Sequence, residues 1–438
     1  MRRFLIAFVG LLYVAALPLY AQDRETKVRN DRKAFETSKD WVYNDLDEGR
    51  RIARETGKPL LVIFRCIPCE ACQEFDDDVA SRDPVIRDLM DRFVCVRIVQ
   101  ANTIDLTHFR FDFDQSFAAF LTNADLTIYG RFGTRSDRKE TEDISLKGFR
   151  KAMEAALQMH QEIDKIRPSL AGKQIIPTQY KTPLDYPSLA ARFGPKLNYE
   201  GNVVKSCMHC HQVREAERTL YRQARQPIPD EVLYPYPDPA VLGLTMAPEE
   251  MATVAKVAAG SVAERAGIEP GDRIVTLGGQ PLLSIADLQW VLHNIESKTR
   301  LVAEILRDGT KKGLALDLPD GWREGNIAWR VTTWDLRRMG LGGMRLDELT
   351  ADDRREAKTG VGTMALRVRH VGEFGDHATA KKAGFRKGDI LVGFDGRTGD
   401  WTESQLIAYT VQRKRPGDEV AVTVLRNGKR ETLRFTLQ

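Results

Sequence analysis

The feature that most restricts this chain is an internal repeat towards its C-terminal end. Ala263-Glu264-Arg265-Ala266-Gly267-Ile268-Glu269-Pro270-Gly271-Asp272-Arg273-Ile274 recurs as Ala380-Lys381-Lys382-Ala383-Gly384-Phe385-Arg386-Lys387-Gly388-Asp389-Ile390-Leu391. Leu306-Arg307-Asp308-Gly309 recurs as Leu425-Arg426-Asn427-Gly428, and Asp-Gly or Asn-Gly between apolar runs marks a tight hairpin turn. The spacings agree: 42 residues separate Ala263 from Ile305, and 44 separate Ala380 from Val424. Self-similarity of this kind means two copies of one domain, placed at 240–320 and 328–438. Asp272 and Asp389 are expected to serve turns rather than catalysis.

The start of the chain bears on its compartment. Arg2-Arg3 precedes an apolar run from Phe4 to Leu17, and Leu19-Tyr20-Ala21 offers a small residue for cleavage. This is the pattern of a secretory leader over 1–21, too short for a comfortable membrane span. It predicts export to a bacterial periplasm, where thiols can be oxidised. The 66 Lys and Arg nearly balance 62 Asp and Glu. A field that even gives no support for nucleic acid as a partner. Residues 22–40 read as a polar, mobile lead-in.

Between 41 and 163, strand and helix patterns alternate as in a compact α/β domain. Trp41 to Gly57 reads as a helix, and Leu60 to Phe64 as a buried strand. A helix from Asp83-Pro84, a strand over 93–99, a hairpin around Asn123-Ala124-Asp125 and a helix capped by Ser145 follow. The fold class is thus multidomain α/β and α+β. Residues 164–239 hold ten prolines and too few apolar residues for a large core of their own.

Six cysteines fall mainly into two clusters. Cys66-Ile67-Pro68-Cys69-Glu70-Ala71-Cys72 follows the buried strand and is expected to open a helix. There, exposed N–H groups and the helix dipole favour a thiolate. A redox dithiol is the leading reading, with a metal site or inert buried cysteines as alternatives. Asp76 stands where a ferredoxin-like run needs another cysteine. Cys95, inside an apolar strand, reads as core. The second cluster, Cys207-Met208-His209-Cys210-His211, has the Cys-x-x-Cys-His pattern of covalent haem c attachment, with His211 as proximal iron ligand. A zinc site that includes His209, or a second thiol pair, are the alternatives. No sixth ligand is determined among Met159, His160, Met246 and Met251; His160 reads as a core histidine.

Two resemblances follow. Lys58-Pro59-Leu60-Leu61-Val62-Ile63-Phe64 with the cysteines resembles the thioredoxin superfamily over about residues 40–163. That resemblance implies Cys69 as nucleophile, Cys72 as resolving thiol and Cys66 as an extra thiol. Ile63 stands where the family has a buried acid, and no proline lies between Pro84 and Pro168 to face the cysteines. The repeated Ala-Gly-x-x-x-Gly-Asp is similar to PDZ domains, especially those of periplasmic quality-control proteases. It implies a peptide added to a sheet edge, with its carboxylate held by Leu242-Gly243-Leu244 in one copy and Gly340-Leu341-Gly342-Gly343-Met344 in the other. The whole resembles a bacterial family of exported thioredoxin/PDZ proteins, some with selenocysteine at a reactive position.

The reading expected from all this is an exported thiol–disulfide redox protein whose PDZ domains recruit peptide or protein clients. As an enzyme it would be a thiol–disulfide oxidoreductase and not a protease, since no Gly-x-Ser-x-Gly and no plausibly spaced His/Asp/Ser set is present. The alternatives are a non-catalytic PDZ adaptor or redox sensor, and an electron-transfer cytochrome. A redox partner protein is a further expectation.

Overall fold

The computed structural model describes residues 24–69, 73–175, 179–296 and 298–438. The leader expected over 1–21 lies outside the described residues. Among the described residues, no helix is long and apolar enough to cross a membrane.

The first unit is a five-stranded sheet ordered β1-β3-β2-β4-β5. Its strands are β1 (Val42–Tyr43), β2 (Leu60–Arg65), β3 (Val94–Ile98), β4 (Phe117–Thr122) and β5 (Ile128–Phe132). β3 runs parallel to β1 and β2, whereas β4 and β5 are antiparallel. The period-two alternation of a strand divides β2 between two cores. Leu61 and Ile63 join one cluster with Phe117, Phe149 and Met153. Leu60, Val62 and Phe64 join another with Phe109, Phe120 and Val213.

Four longer helices belong to this unit and its flanks: α1 (Arg24–Phe35), α2 (Leu46–Thr56), α3 (Gln73–Ala80) and α4 (Leu146–Gln161). α1 corrects the expected mobile lead-in. It is strongly polar, so no apolar stripe announces it, but its charges find buried partners. Asp31 pairs with Arg97 at 2.7 Å, and Arg97 pairs with Asp76 at 2.8 Å. Trp41 to Asn44 are also not helical as expected. Asp45 caps α2 by accepting the Glu48 N–H, so the helix starts there, and Val42–Tyr43 pair with β3 instead. The helix expected from Asp83-Pro84 reduces to one turn at Arg87–Met90.

The two repeats carry corresponding strands, divided between a two-stranded and a four-stranded sheet in the first and joined in one five-stranded sheet in the second. The first holds β6 (Leu244–Met246), β7 (Val254–Val257), β8 (Arg273–Leu277), β9 (Gln280–Pro281), β10 (Thr299–Arg307) and β11 (Thr310–Leu318). The second holds β12 (Met344–Glu348), β13 (Leu366–Val371), β14 (Ile390–Phe394), β15 (Glu419–Arg426) and β16 (Lys429–Thr436). Asp272 accepts two hydrogen bonds from Arg307, both 2.7 Å, and Asp389 accepts the same pair from Arg426. The repeated acid therefore locks a loop to the following hairpin.

The connector does not stand alone. Helix α5 (Cys210–Gln223) buries Val213 and Ala216 against the first unit. Ile228, Val232 and Leu233 enter the core of the second repeat. Buried ion pairs tie the units together. Helix α6 (Ile285–Asn294) of the first repeat sets Asp287 2.8 Å from Lys173. Arg330, just ahead of α7 (Thr333–Leu341), pairs with Asp112 at 2.7 Å and Asp114 at 3.1 Å. Helix α8 (Glu403–Arg413) packs beside α7, where Arg337 pairs with Glu403 at 2.6 Å.

Candidate functional site

β2 ends at Arg65 and delivers Cys66 to the C-terminal edge of the first sheet. The Cys66 N–H donates to the Ser116 carbonyl at 3.0 Å, and a tight turn returns the Cys69 N–H to the Cys66 carbonyl at 3.0 Å. Arg65, itself paired with Asp76 at 3.1 Å, donates to the carbonyls of Cys66 and Cys69. This frame brings Cys66 Sγ and Cys69 Sγ to 2.9 Å. The described part of α3 starts at Gln73, and Cys72 lies outside the described residues.

The second motif meets the first. His209, 140 residues further along, places Nδ1 3.1 Å from Cys66 Sγ and 3.9 Å from Cys69 Sγ. Its position is built by backbone bonds. Buried Asn102 accepts the Met208 N–H at 2.9 Å and donates to the carbonyls of Gly194 and Ser206. Gln212 accepts the His209 N–H at 2.9 Å and starts α5.

The electrostatics separate the sulfurs. Cys69 is lowered to about 4, first by the hydrogen bond from Cys66 and then by His209 and His211. The same bond, with burial, pushes Cys66 well above the usual thiol range. Cys69 is thus the thiolate and Cys66 its proton-bearing neighbour. Burial drives His211 down, but hydrogen bonding to Glu215 at 2.8 Å outweighs it and raises its pKa. The thioredoxin resemblance gave Cys69 the nucleophile's place; among the described residues its thiol neighbour is Cys66, and Cys72, the expected resolving thiol, lies outside them. His209 was in view only as a zinc alternative. The signal that would have found it is a histidine inside the Cys-x-x-Cys spacing itself.

A covalent haem needs two reachable thiols and an imidazole free to turn beneath the ring. Cys207 is only 4% exposed, with its Sγ against the carbonyls of Val99 and Met208. Burial pushes Cys207 and Cys210 up to about 12. His211 is engaged with Glu215, and His209 faces the other cysteines. Residues so arranged do not fit a haem, and no step below passes through one. Of the other iron-ligand candidates, His160 bridges the Tyr129 hydroxyl at 2.7 Å and the Gly57 carbonyl at 2.9 Å. Met159 and Met251 pack on the first unit's core, and Met246 is buried in the first repeat. Cys95 is core, its Sγ 3.6 Å from the Met90 carbonyl.

Each expected carboxylate loop precedes a strand. Leu242, Leu244, Leu341 and Met344 point into the cores of their repeats. Gly243, Gly342 and Gly343 have positive φ, but their N–H groups already donate to carbonyls within the fold, Gly243 to Ala240 and both Gly342 and Gly343 to Arg337, so the expected carboxylate loops have these donors engaged. Gly340 packs against Thr410 of α8. In the second copy, β12 is the sheet edge, yet its Leu346 N–H already donates to Glu403 at 2.7 Å.

Comparison with known proteins matches a thioredoxin-like family to residues 41–124 and PDZ domain families to residues 253–305 and 367–437. The chain carries a thioredoxin-like domain and two PDZ domains. Curated relatives include a probable periplasmic serine endoprotease DegP-like of Pseudomonas savastanoi pv. phaseolicola, 25% identical over 190 residues. That alignment covers 42% of this chain and 37% of the relative. The protein of the same name from Ectopseudomonas mendocina is 26% identical over 188 residues, 42% of this chain and 38% of the relative. This chain thus spans well under half the length of these relatives. Among solved structures, the HtrA-type protease AlgW with decapeptide aligns at 21% identity and TM-score 0.21, covering 30% of this chain and 38% of that one. The PDZ domain of EpsC from Vibrio cholerae aligns at 21% identity and TM-score 0.16, covering 22% of this chain and 95% of that one.

The relatives' names correct the exclusion of a protease made from the sequence. Serine endoproteases by name are what the distant, partial matches supply, so that exclusion is withdrawn. Its physical weakness is that a Ser-His-Asp arrangement recurs on unrelated folds in different chain orders, so one absent sequence pattern excludes little.

Proposed function

We propose that this chain is an exported redox protein in which PDZ domains bring a peptide or protein client to Cys69. Export is supported by the leader pattern and by the periplasmic names of the relatives. The observation that carries the reading is the contact of Cys66, Cys69 and His209. The Cys69 thiolate attacks one sulfur of a client disulfide, forming a mixed disulfide and releasing one client thiolate. Cys66 passes its proton to His209 and attacks Cys69 Sγ. The second client sulfur leaves, takes the proton from His209, and the chain keeps a Cys66–Cys69 disulfide. Two electrons move from the pair to the client, and the reverse sequence oxidises a client dithiol.

The test is trapping. Cys66→Ala should accumulate a mixed disulfide between Cys69 and a disulfide-bearing client peptide, visible by mass, and Cys69→Ser should accumulate none. Equal trapping by both variants rejects the reading. The burial of Cys207 and the engagement of His211 with Glu215 speak against the covalent haem that the motif suggested, and a pyridine haemochrome spectrum of the exported chain should show no haem c band.

The relatives' names favour a second reading, in which the PDZ domains serve periplasmic proteolysis. Purified chain incubated with casein, alone and with a DegP-like protease, tests it. Fragments produced or accelerated by this chain support it; intact casein with the chain alone and an unchanged cleavage rate with the protease reject it.

A further inference from the structure

The donor atoms of Cys66, Cys69 and His209 all lie within 4.8 Å of one another. They come from two segments with no sequence continuity, so local turn geometry alone does not explain their convergence. Two sulfurs and one imidazole nitrogen are the donor set that zinc selects over hard-oxygen ions. We propose that the reduced Cys66–Cys69 pair and His209 together bind one zinc ion, leaving a fourth position open.

Three features of the structure support this. The ligand-bearing backbones are held before any ion arrives: Arg65 bonds to the carbonyls of both cysteines, and Asn102 and Gln212 hold the peptide around His209. The site is graded in depth. Cys66 is buried, whereas Cys69 and His209 are half-buried, so one side of the ion meets solvent. The adjustment needed is small. Zinc–sulfur bonds of about 2.3 Å at tetrahedral angles separate two sulfurs by about 3.8 Å. The present separation is 2.9 Å, and Cys69 sits in no helix or strand that would fix its χ1.

Binding is an acid–base exchange with no electron transfer. Zinc takes both sulfurs as thiolates and the imidazole as a neutral donor, and the proton held between the sulfurs goes to solvent. Two thiolates cancel the charge of the ion, while Arg65 is already matched by Asp76. A Cys66–Cys69 disulfide removes two of the three donors. The site therefore exists in the reduced chain alone, and bound zinc shields the pair from oxidation. The proposal shares its cysteines with the redox reading but does not require client exchange.

The test uses the full chain, reduced and stripped with chelator, then dialysed against zinc sulfate and assayed by elemental analysis. One zinc per chain is expected, and none after oxidation to the disulfide. His209→Ala should weaken zinc at least about tenfold, whereas His370→Ala, on β13 of the second PDZ domain, should retain the parent affinity. Cobalt substitution should give a thiolate charge-transfer band that His209→Ala alters. Substoichiometric zinc in the reduced chain, equal uptake by the oxidised chain, or equal affinity in His209→Ala overturns the proposal. Uptake of copper(I) with zinc refused also overturns it. Alkylation of Cys69 in metal-free protein reports separately on the redox reading: a fast-reacting Cys69 in a chain that refuses zinc rejects the ion alone.

Discussion

Cys66 and Cys69 have the same spacing as Cys207 and Cys210, and both pairs lie at the boundary between the first unit and the connector. Their surroundings drive them apart. Cys69 receives a hydrogen bond from its neighbour and faces two imidazoles, so its negative form is favoured. Cys207 and Cys210 are held up by burial, and the nearby Cys69 charge disfavours a second anion. Spacing alone therefore does not make a dithiol reactive. The field around it does, and here one pair's histidine is spent on the other pair.

The largest expected difference is in labelling. At pH 7, a thiol at about 4 and one at about 12 differ in thiolate fraction by about five powers of ten. Lower nucleophilicity of the more acidic thiol returns much of that. Iodoacetamide mapping by mass spectrometry should still find Cys69 at least about tenfold faster than Cys207. Equal rates would break the comparison. The pH profile sharpens it. Because the Cys69 pKa is lowered, its thiolate persists on the acid side, and its labelling rate should stay level from pH 8 to 5 and drop only near 4. An ordinary thiol loses about tenfold per unit over the same range.

Next in size is Cys66→Ala, which removes the strongest stabiliser of the thiolate. Cys69 labelling at pH 5 should fall at least about tenfold. His209→Ala removes a weaker contact, and a loss of about threefold is expected in the same assay. Asn102→Ala leaves the buried Met208 N–H without its acceptor, costing about 1–3 kcal/mol by chemical denaturation. Asp287→Ala leaves Lys173 buried without its partner and should cost about 3–5 kcal/mol, yet leave the Cys69-to-Cys207 labelling ratio unchanged. A shift in that ratio would mean that the first PDZ domain's docking shapes the thiol site.

Much of the fold was legible because its signals are local. The apolar run Leu60 to Phe64 needed no partner to read as a buried strand. Asp308-Gly309 and Asn427-Gly428 adopt the left-handed turn conformations their residue types favour. Ser145 accepts the Gly148 N–H at 3.0 Å as a helix cap should. α1 was not legible, because burial of Asp31 against Arg97 stabilises it rather than an apolar stripe. The site was half legible. The cysteine cluster stood out from the strand before it and from its spacing, and the thioredoxin resemblance implied Cys69 as nucleophile, whereas its neighbours depended on a fold that brings residue 209 back to residue 66. The haem pattern also drew attention to His211 and away from the histidine two positions earlier.

Helix α5 has a mechanical consequence. Its fourteen residues form a rod about 21 Å long, and His209 sits at the cap of one end. Arg218 grips the Thr332 carbonyl at 3.0 Å, and Arg222 grips the carbonyl of Gln438, the final residue, at 3.0 Å. The rod is thereby clamped to the second PDZ domain while its tip carries the imidazole. One helix therefore supports both the imidazole beside the sulfurs and the backbone at Gln438.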